Sequence, residues 1–77
     1  MGDRLSIRLE VYLPFRGRRM WRGAEEVPAG TTLAGLLDAL ALPEPDLAIL
    51  LNGRHRPPET LLSDGDEVAV LRQSEGG

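Results

Sequence analysis

The chain has 77 residues and a formal net charge of −3 at pH 7. A chain of this size forms one domain with one modest core, because folding buries only about 60% of the surface that its unfolded form exposes. It contains no cysteine and one histidine, His55. This composition excludes disulfides, thiolate metal sites and a cysteine nucleophile, and it argues against an imidazole-based metal site or a serine-histidine-aspartate triad.

The first strand is predicted by strict alternation of apolar and polar residues over positions 5 to 12. A period of two is typical of a strand that buries one face. Pro14 and Gly17 follow, and we expect the chain to reverse there, because proline fixes φ and glycine accepts turn conformations. The apolar positions of this strand are Leu5, Ile7, Leu9 and Val11.

Residues 18 to 27 are predicted to return as an antiparallel strand at the edge of the sheet. Trp21, Glu25 and Val27 would share one face of this strand, although Val27 is the one that suits a core. A bulge near Gly23 and Ala24 would resolve the conflict by switching faces midway. The arginines of this segment would protect the edge from pairing with another chain; they are Arg18, Arg19 and Arg22.

One short helix is predicted after residue 30. Thr31 or Thr32 is suited to the N-cap position, and Pro43 is expected to stop the helix. Leucines spaced at i, i+3, i+4 and i+7 form one apolar stripe, which would face the sheet. A helix of about ten residues is marginal alone, so we expect packing to hold it. The stripe consists of Leu33, Leu36, Leu37 and Leu40.

The remaining residues are predicted to form a second hairpin and a final strand. Residues 47 to 51 are a continuous apolar run that suits a buried strand, and Asn52 and Gly53 are a favoured type I′ turn pair. A short return strand over residues 54 to 56 is followed by a crossing segment over 59 to 62, which should place one leucine in the core. Residues 63 to 66 would turn, and Val68 and Val70 are the predicted core pair of the last strand.

The predicted order is therefore strand, strand, helix, strand, short strand, turn, strand. One helix across one face of a mixed sheet buries all these leucines together. The first and last strands are strongly patterned, so we expect them to lie side by side and parallel in the middle. The sequence predicts an α+β, β-grasp (ubiquitin-like) fold, with a four- to five-stranded sheet. Residues 1 to 71 would form this domain and residues 72 to 77 a flexible C-terminal tail.

Three segments carry a resemblance to a known family. Residues 50 to 54 read Leu-Leu-Asn-Gly-Arg, residues 62 to 68 read Leu-Ser-Asp-Gly-Asp-Glu-Val, and a tail after the last strand ends in Gly76 and Gly77. In this combination the chain resembles the ThiS/MoaD family of ubiquitin-like sulfur carriers over residues 31 to 77. The tail lacks the Pro-Pro-Val-type run usual in MoaD-like proteins, and the Pro-Arg usual in ThiS-like proteins does not follow the Asn-Gly turn. The pathway served is therefore left open.

The resemblance implies a carrier rather than a catalyst. A ubiquitin-activating-type enzyme would adenylate the Gly77 carboxylate with MgATP. A sulfur donor would then convert the acyl-adenylate into a thiocarboxylate for a sulfur-accepting synthase, of which the chain could be the small subunit. Gly76 and Gly77 suit this role because a side chain would widen the tail. No cofactor or metal is expected on the chain itself. The sulfur acceptor could belong to molybdopterin, thiamine thiazole, amino acid or transfer-RNA chemistry.

The same resemblance implies that partners dock on the exposed face of the sheet near the tail. The residues that alternate with Val68 and Val70 in the last strand would lie on that face. Trp21 is either a core residue or a partner anchor. The docking candidates are Leu71, Ala69, Leu50 and Tyr12, with Arg72 as a steering charge.

Charge is distributed unevenly along the chain. Residues 1 to 22 hold six arginines and two acidic residues (+4), whereas residues 23 to 77 hold three arginines and ten acidic residues (−7). We expect this dipole to orient a protein partner, and we expect no nucleic-acid binding, which favours a domain that is basic overall. The apolar runs are shorter than a membrane span and the N-terminus lacks a signal-peptide pattern, which predicts a cytoplasmic protein without a membrane partner.

Two other functions fit the sequence. In one, Gly77 is joined to a target lysine, so that the chain is a ubiquitin-like protein modifier. In the other, the chain is a β-grasp binding module and the two glycines have no role. All nine basic residues are arginine, and a chain without lysine is compatible with both the carrier and the modifier.

Overall fold

The computed structural model describes residues 3–42 and 47–72, which form one mixed sheet and one helix. The sheet order is β2-β1-β5-β3-β4, with β1 and β5 parallel and the other neighbours antiparallel. The predicted mixed sheet with central, parallel first and last strands is confirmed. The elements are β1 (Arg4–Tyr12), β2 (Trp21–Pro28), α1 (Leu33–Ala39), β3 (Leu47–Leu51), β4 (Arg54–His55) and β5 (Glu67–Arg72).

The core lies on one face of the sheet, which we call the inner face, where α1 packs. Alternate residues of the two central strands point into it, and the leucine stripe of α1 covers them. Leu40 is partly buried against this core, and Leu62 enters it while Leu61 stays 61% exposed. The most deeply buried side chains are Ile7, Leu9, Val11, Leu33, Leu36, Val68 and Val70. The predicted core pair of the last strand is therefore confirmed.

The helix starts and ends through local hydrogen bonds. The Thr32 Oγ1 accepts a hydrogen bond from the Gly35 N–H at 3.0 Å, so Thr32 is the N-cap. At the other end, Ala41 has φ = 57°, and the N–H of Leu42 donates to the Leu37 carbonyl at 3.1 Å. This Schellman arrangement closes α1 after seven residues. The expectation that Pro43 stops a helix of about ten residues is wrong for this reason.

The first hairpin has no bulge, and that prediction is wrong. The β1–β2 register is unbroken from Arg4 opposite Pro28 to Val11 opposite Trp21. The strand begins at Trp21 rather than at residue 18, because Phe15 and Arg18 close a tight turn with two backbone hydrogen bonds of 2.9 and 3.0 Å. As predicted, β2 lies at the edge of the sheet.

Arg16 explains how Trp21 and Glu25 share the inner face with Val27. Its Nη1 donates to the Glu25 Oε2 at 2.6 Å, which satisfies the carboxylate. Its guanidinium carbon lies 4.7 Å from the centre of the Trp21 ring and 4.8 Å from that of Phe15. Arg16 therefore covers Trp21 and satisfies Glu25 at the inner face. β2 needs no bulge to move these two residues to the other face.

The second hairpin follows the prediction in outline. Asn52 and Gly53 both have positive φ, 52° and 83°, as a type I′ turn requires. Leu51 is the one buried residue of β3, and residues 47 to 50 are only partly buried, so β3 is less buried than expected. The predicted connection over residues 43 to 46 and the tail residues 73 to 77 lie outside the described residues. Among the described residues no helix is long and apolar enough to cross a membrane.

Candidate functional site

β5 brings the tail to one end of the sheet. Because β5 runs parallel to β1, both strands finish at the same end, where Tyr12 lies opposite Leu71. β5 includes Arg72, which the sequence assigned to the tail. Gly76 and Gly77, the predicted site of adenylation, lie outside the described residues, so the structure locates the root of the tail and not its tip.

The face of the sheet opposite α1, the outer face, carries an apolar patch near this root. Paired residues of neighbouring strands lie on the same face. One row crosses the sheet from Ala48 through Leu71 to Tyr12, and the next includes Leu50 and Ala69. We call these five residues the outer patch. The structure therefore brings together Leu71, Ala69, Leu50 and Tyr12, all four apolar docking candidates.

The outer patch is only partly covered. Tyr12 is 39% exposed, and the other four residues have intermediate exposure. Their inner-face neighbours in β5, Val68 and Val70, are 1% and 0% exposed. Because α1 packs on the inner face, this contiguous apolar surface is available to a partner, which is the usual meaning of such a patch beside a functional segment.

Arg72 and Ala48 differ from the sequence prediction of the docking surface. Arg72 is exposed at the end of β5, but it lies opposite Leu47 and alternates with Leu71 along the strand. It therefore belongs to the inner-face register rather than to the outer patch. Ala48 was not predicted, because a continuous apolar run from 47 to 51 contains no alternation from which its face could be read.

A polar rim borders the outer patch on the side of β1 and β2. The Tyr12 hydroxyl donates a hydrogen bond to the Glu10 Oε1 at 2.5 Å. The other oxygen of Glu10 lies 3.5 Å from the Arg22 Nε. The hydrogen bond to Glu10, with a smaller contribution from desolvation, raises the pKa of Tyr12 above its ordinary value. The phenol is therefore protonated at neutral pH and acts as a donor.

The start of β5 is held by a network that joins two of the sequence motifs. The Asn52 Nδ2 donates to the Asp66 Oδ1 at 3.0 Å, and the Glu67 N–H donates to the Asn52 Oδ1 at 2.9 Å. The other Asp66 oxygen accepts from the Ser63 N–H at 2.7 Å. The Asn-Gly turn and the Asp-Gly-Asp turn are therefore one unit, which fixes β5 against β3.

The first aspartate of the same motif ties the turn to β1. The Asp64 Oδ1 accepts a hydrogen bond from the Ser6 N–H, and the Gly65 N–H donates to the Ser6 carbonyl, both at 2.8 Å. Gly65 has φ = 88°, a conformation that glycine adopts without strain. Both carboxylates of the motif are thus used to build a turn.

The comparisons with known proteins agree with this fold. The profile of the ThiS family matches residues 15–77, and no curated protein matches significantly. The Haloferax volcanii HVO 2177 protein superposes with a TM-score of 0.74 at 23% identity, over 97% of this chain and 89% of its own. SAMP1 from Haloferax volcanii gives 0.70 at 21% identity, over 94% and 99%.

Urm1 from Trypanosoma brucei also superposes, with a TM-score of 0.63 at 22% identity over the whole of both chains. At these identities the structural matches establish the fold, which is the predicted ubiquitin-like β-grasp. The family match covers most of the sequence and includes both turn motifs. The chain therefore belongs to the ThiS family of ubiquitin-like carrier proteins.

Proposed function

We propose that this chain is a sulfur carrier whose Gly77 carboxylate is activated as an acyl-adenylate and converted into a thiocarboxylate. The observation that carries the proposal is the position of β5. This strand lies in the middle of the sheet, and hydrogen bonds hold its start. It ends beside the outer patch at Arg72, five residues before Gly77. The family match that runs through residue 77 supports the same function.

In this reaction the chain contributes only its terminal carboxylate. A carboxylate with a reference pKa of about 3.3 to 3.7 is anionic at neutral pH and is a poor electrophile. One of its oxygens attacks the α-phosphorus of ATP in a ubiquitin-activating-type enzyme, and pyrophosphate leaves. A donor that delivers sulfur at the oxidation level of sulfide then attacks the acyl carbon. The C–S bond forms, the C–O bond to AMP breaks, and the thiocarboxylate remains.

The outer patch provides the docking surface in this proposal. Five extended residues span at most about 18 Å, so the activating site must lie close to the end of β5. An enzyme that encloses the tail therefore also meets the patch at its root. Burying Leu50, Leu71 and Tyr12 would supply apolar binding energy of about 25 cal/mol per Å² of surface removed from water, less the cost of association.

Two variants test this function with the activating enzyme of the same organism. Deleting Gly77 should leave the urea midpoint unchanged and abolish ATP–pyrophosphate exchange, because the attacking carboxylate is displaced. Leu71→Glu should weaken binding by at least tenfold, because it places a charge in the apolar interface. Leu61→Glu is the matched control, since Leu61 is exposed and lies outside the patch, and it should bind normally.

The results separate this proposal from its alternatives. Normal exchange by the chain lacking Gly77 would contradict both the carrier and the modifier. Exchange that depends on Gly77 but ends in adducts on target lysines would establish the modifier instead. A wild-type chain that binds the active enzyme without any exchange would favour a binding module.

A further inference from the structure

The first hairpin carries a second candidate surface at the same end of the sheet as the tail. Arg18, Met20, Trp21 and Arg22 line an open depression of about 520 Å³, which we call the hairpin pocket. Met20, which is 39% exposed, and Trp21, which is partly buried, supply the apolar part of its lining, which we call the floor. Exposed arginines border it. The docking surface described above does not include this pocket.

Packing contacts hold the Trp21 side chain in the floor of the pocket. Trp21 packs edge-on against Phe15, with ring centres 5.9 Å apart, and Arg16 stacks on both rings. The ion pair between Arg16 and Glu25 holds this stack in place. An aromatic side chain that is already fixed loses little conformational entropy when a partner covers it, which is why such residues are effective anchors.

The arginines at the rim of the pocket are only partly neutralised by acidic residues of the described part of the chain. Within residues 3–42 and 47–72, the ion pairs of this hairpin are Arg16 with Glu25 and Arg22 with Glu10. The contact of Arg22 is 3.5 Å long, and its side chain is 62% exposed. Arg18 and Arg19 have no carboxylate within 4.0 Å among these residues. The rim therefore matches a partner's carboxylates, which arginine binds in a bidentate manner.

The position of the pocket indicates which partner would reach it. Tyr12 lies opposite Leu71 where β1 and β5 finish, and the turn at residues 15 to 18 continues from that end of β1. β2 lies two strands from β5, a distance of about 10 Å at the usual strand spacing. A protein that encloses the tail root is close enough to contact the pocket as well.

We propose that the hairpin pocket binds an acidic segment of the enzyme that activates Gly77. A carboxylate of this segment lies between Arg18 and Arg22, and a neighbouring apolar side chain packs on Met20 and Trp21. The assignment rests on the proposed function, since it takes that enzyme as the partner. It gives the arginine-rich hairpin the role of orienting the carrier before the tail enters the active site.

The test compares two double variants that remove the same charge. Arg18→Gln/Arg19→Gln, the rim variant, changes one arginine that lines the pocket and the exposed arginine next to it in the chain. Arg54→Gln/Arg56→Gln changes two exposed arginines in and beside β4, at the other edge of the sheet. Association with the activating enzyme is measured by stopped flow at several salt concentrations. The rim variant should associate about tenfold more slowly at low salt, and the difference should shrink to less than about twofold near 0.5 M salt. The control should stay within about twofold throughout.

A second pair of variants tests the apolar floor. Met20→Ser should raise the dissociation rate several-fold, whereas Leu61→Ser, which changes an exposed residue outside the pocket, should not. Equal effects of the rim and control variants would overturn the assignment while leaving the proposed function intact, provided that the wild-type chain is adenylated. A wild-type chain that is not adenylated would overturn both. A pocket that instead pairs two copies of the chain would show as a dimer that Met20→Ser dissociates, and this would also overturn the assignment.

Discussion

Replacing Asn52 by alanine tests the network that holds the start of β5. The Asn52 side chain makes two hydrogen bonds, of 3.0 Å to Asp66 and 2.9 Å from the Glu67 N–H. Its backbone has φ = 52°, in the left-handed region that asparagine tolerates better than alanine. Asn52→Ala therefore removes both bonds and places an unfavourable residue in the turn.

The expected loss follows from these two terms. Each hydrogen bond contributes about 0.5 to 1 kcal/mol, at the low end of the usual range because the side chain is exposed and water can replace it. Alanine in the left-handed conformation costs about 1 kcal/mol more. Asn52→Ala should therefore destabilise the domain by about 2 to 3 kcal/mol, a large part of the roughly 4 to 12 kcal/mol expected for 77 residues.

Equilibrium unfolding in urea, followed by circular dichroism, measures this loss as a lower midpoint at an unchanged slope. Asn52→Gly is the control, because glycine accepts the positive φ and loses only the side-chain bonds. It should cost about 1 to 2 kcal/mol, which is about 1 kcal/mol less than Asn52→Ala. A loss below about 0.5 kcal/mol for Asn52→Ala, or equal losses for the two variants, would refute the reasoning. Where Asn52→Ala is still folded, adenylation should be normal.

Three further predictions concern local contacts. Gly23→Ala would place a Cβ 2.7 Å from the Trp21 Cη2; displacing the ring should cost about 1 to 3 kcal/mol and alter the near-ultraviolet circular dichroism of the single tryptophan. Thr32→Ala removes the N-cap and should cost about 1 kcal/mol in urea unfolding, whereas Thr32→Ser should cost much less. Because Glu10 raises the pKa of Tyr12, the phenol should titrate above pH 10 by ultraviolet absorbance, and Glu10→Gln should lower the midpoint. The contact then contributes stability that is complete below pH 10 and is lost as pH rises through the folded pKa.

The sequence predicts the sheet, the helix and most of the outer patch for identifiable reasons. Strict alternation assigns Tyr12, Ala69 and Leu71 to one face, because successive side chains of a strand point to opposite faces of the sheet. The leucine spacing in α1 does the same for the core. Ala48 and Leu50 lie in a run without alternation, so only the pairing with β5 reveals that they share the outer face.

Two of the wrong predictions, the bulge in the second strand and the helix stop at Pro43, have a common cause, because each relied on a local sequence signal alone. The residue types of Trp21 and Glu25 predict different faces, but Arg16, from the preceding turn, stacks on Trp21 and pairs with Glu25. Pro43 predicts the helix stop, but Ala41 adopts a positive φ and closes the helix earlier. Sequence spacing gives no signal for either feature. The position of Trp21 and Glu25 depends on side-chain packing with Arg16, and the helix end depends on an alanine in a conformation that glycine usually adopts.

The most direct test of the carrier is the intact mass of the chain after incubation with MgATP, its activating enzyme and a sulfur source, with fragmentation to locate any change. We expect one oxygen at Gly77 to be replaced by sulfur. Locating the change matters, because oxidation of Met20 adds nearly the same mass. An unmodified terminus, with an enzyme shown to be active on another carrier, would contradict the account.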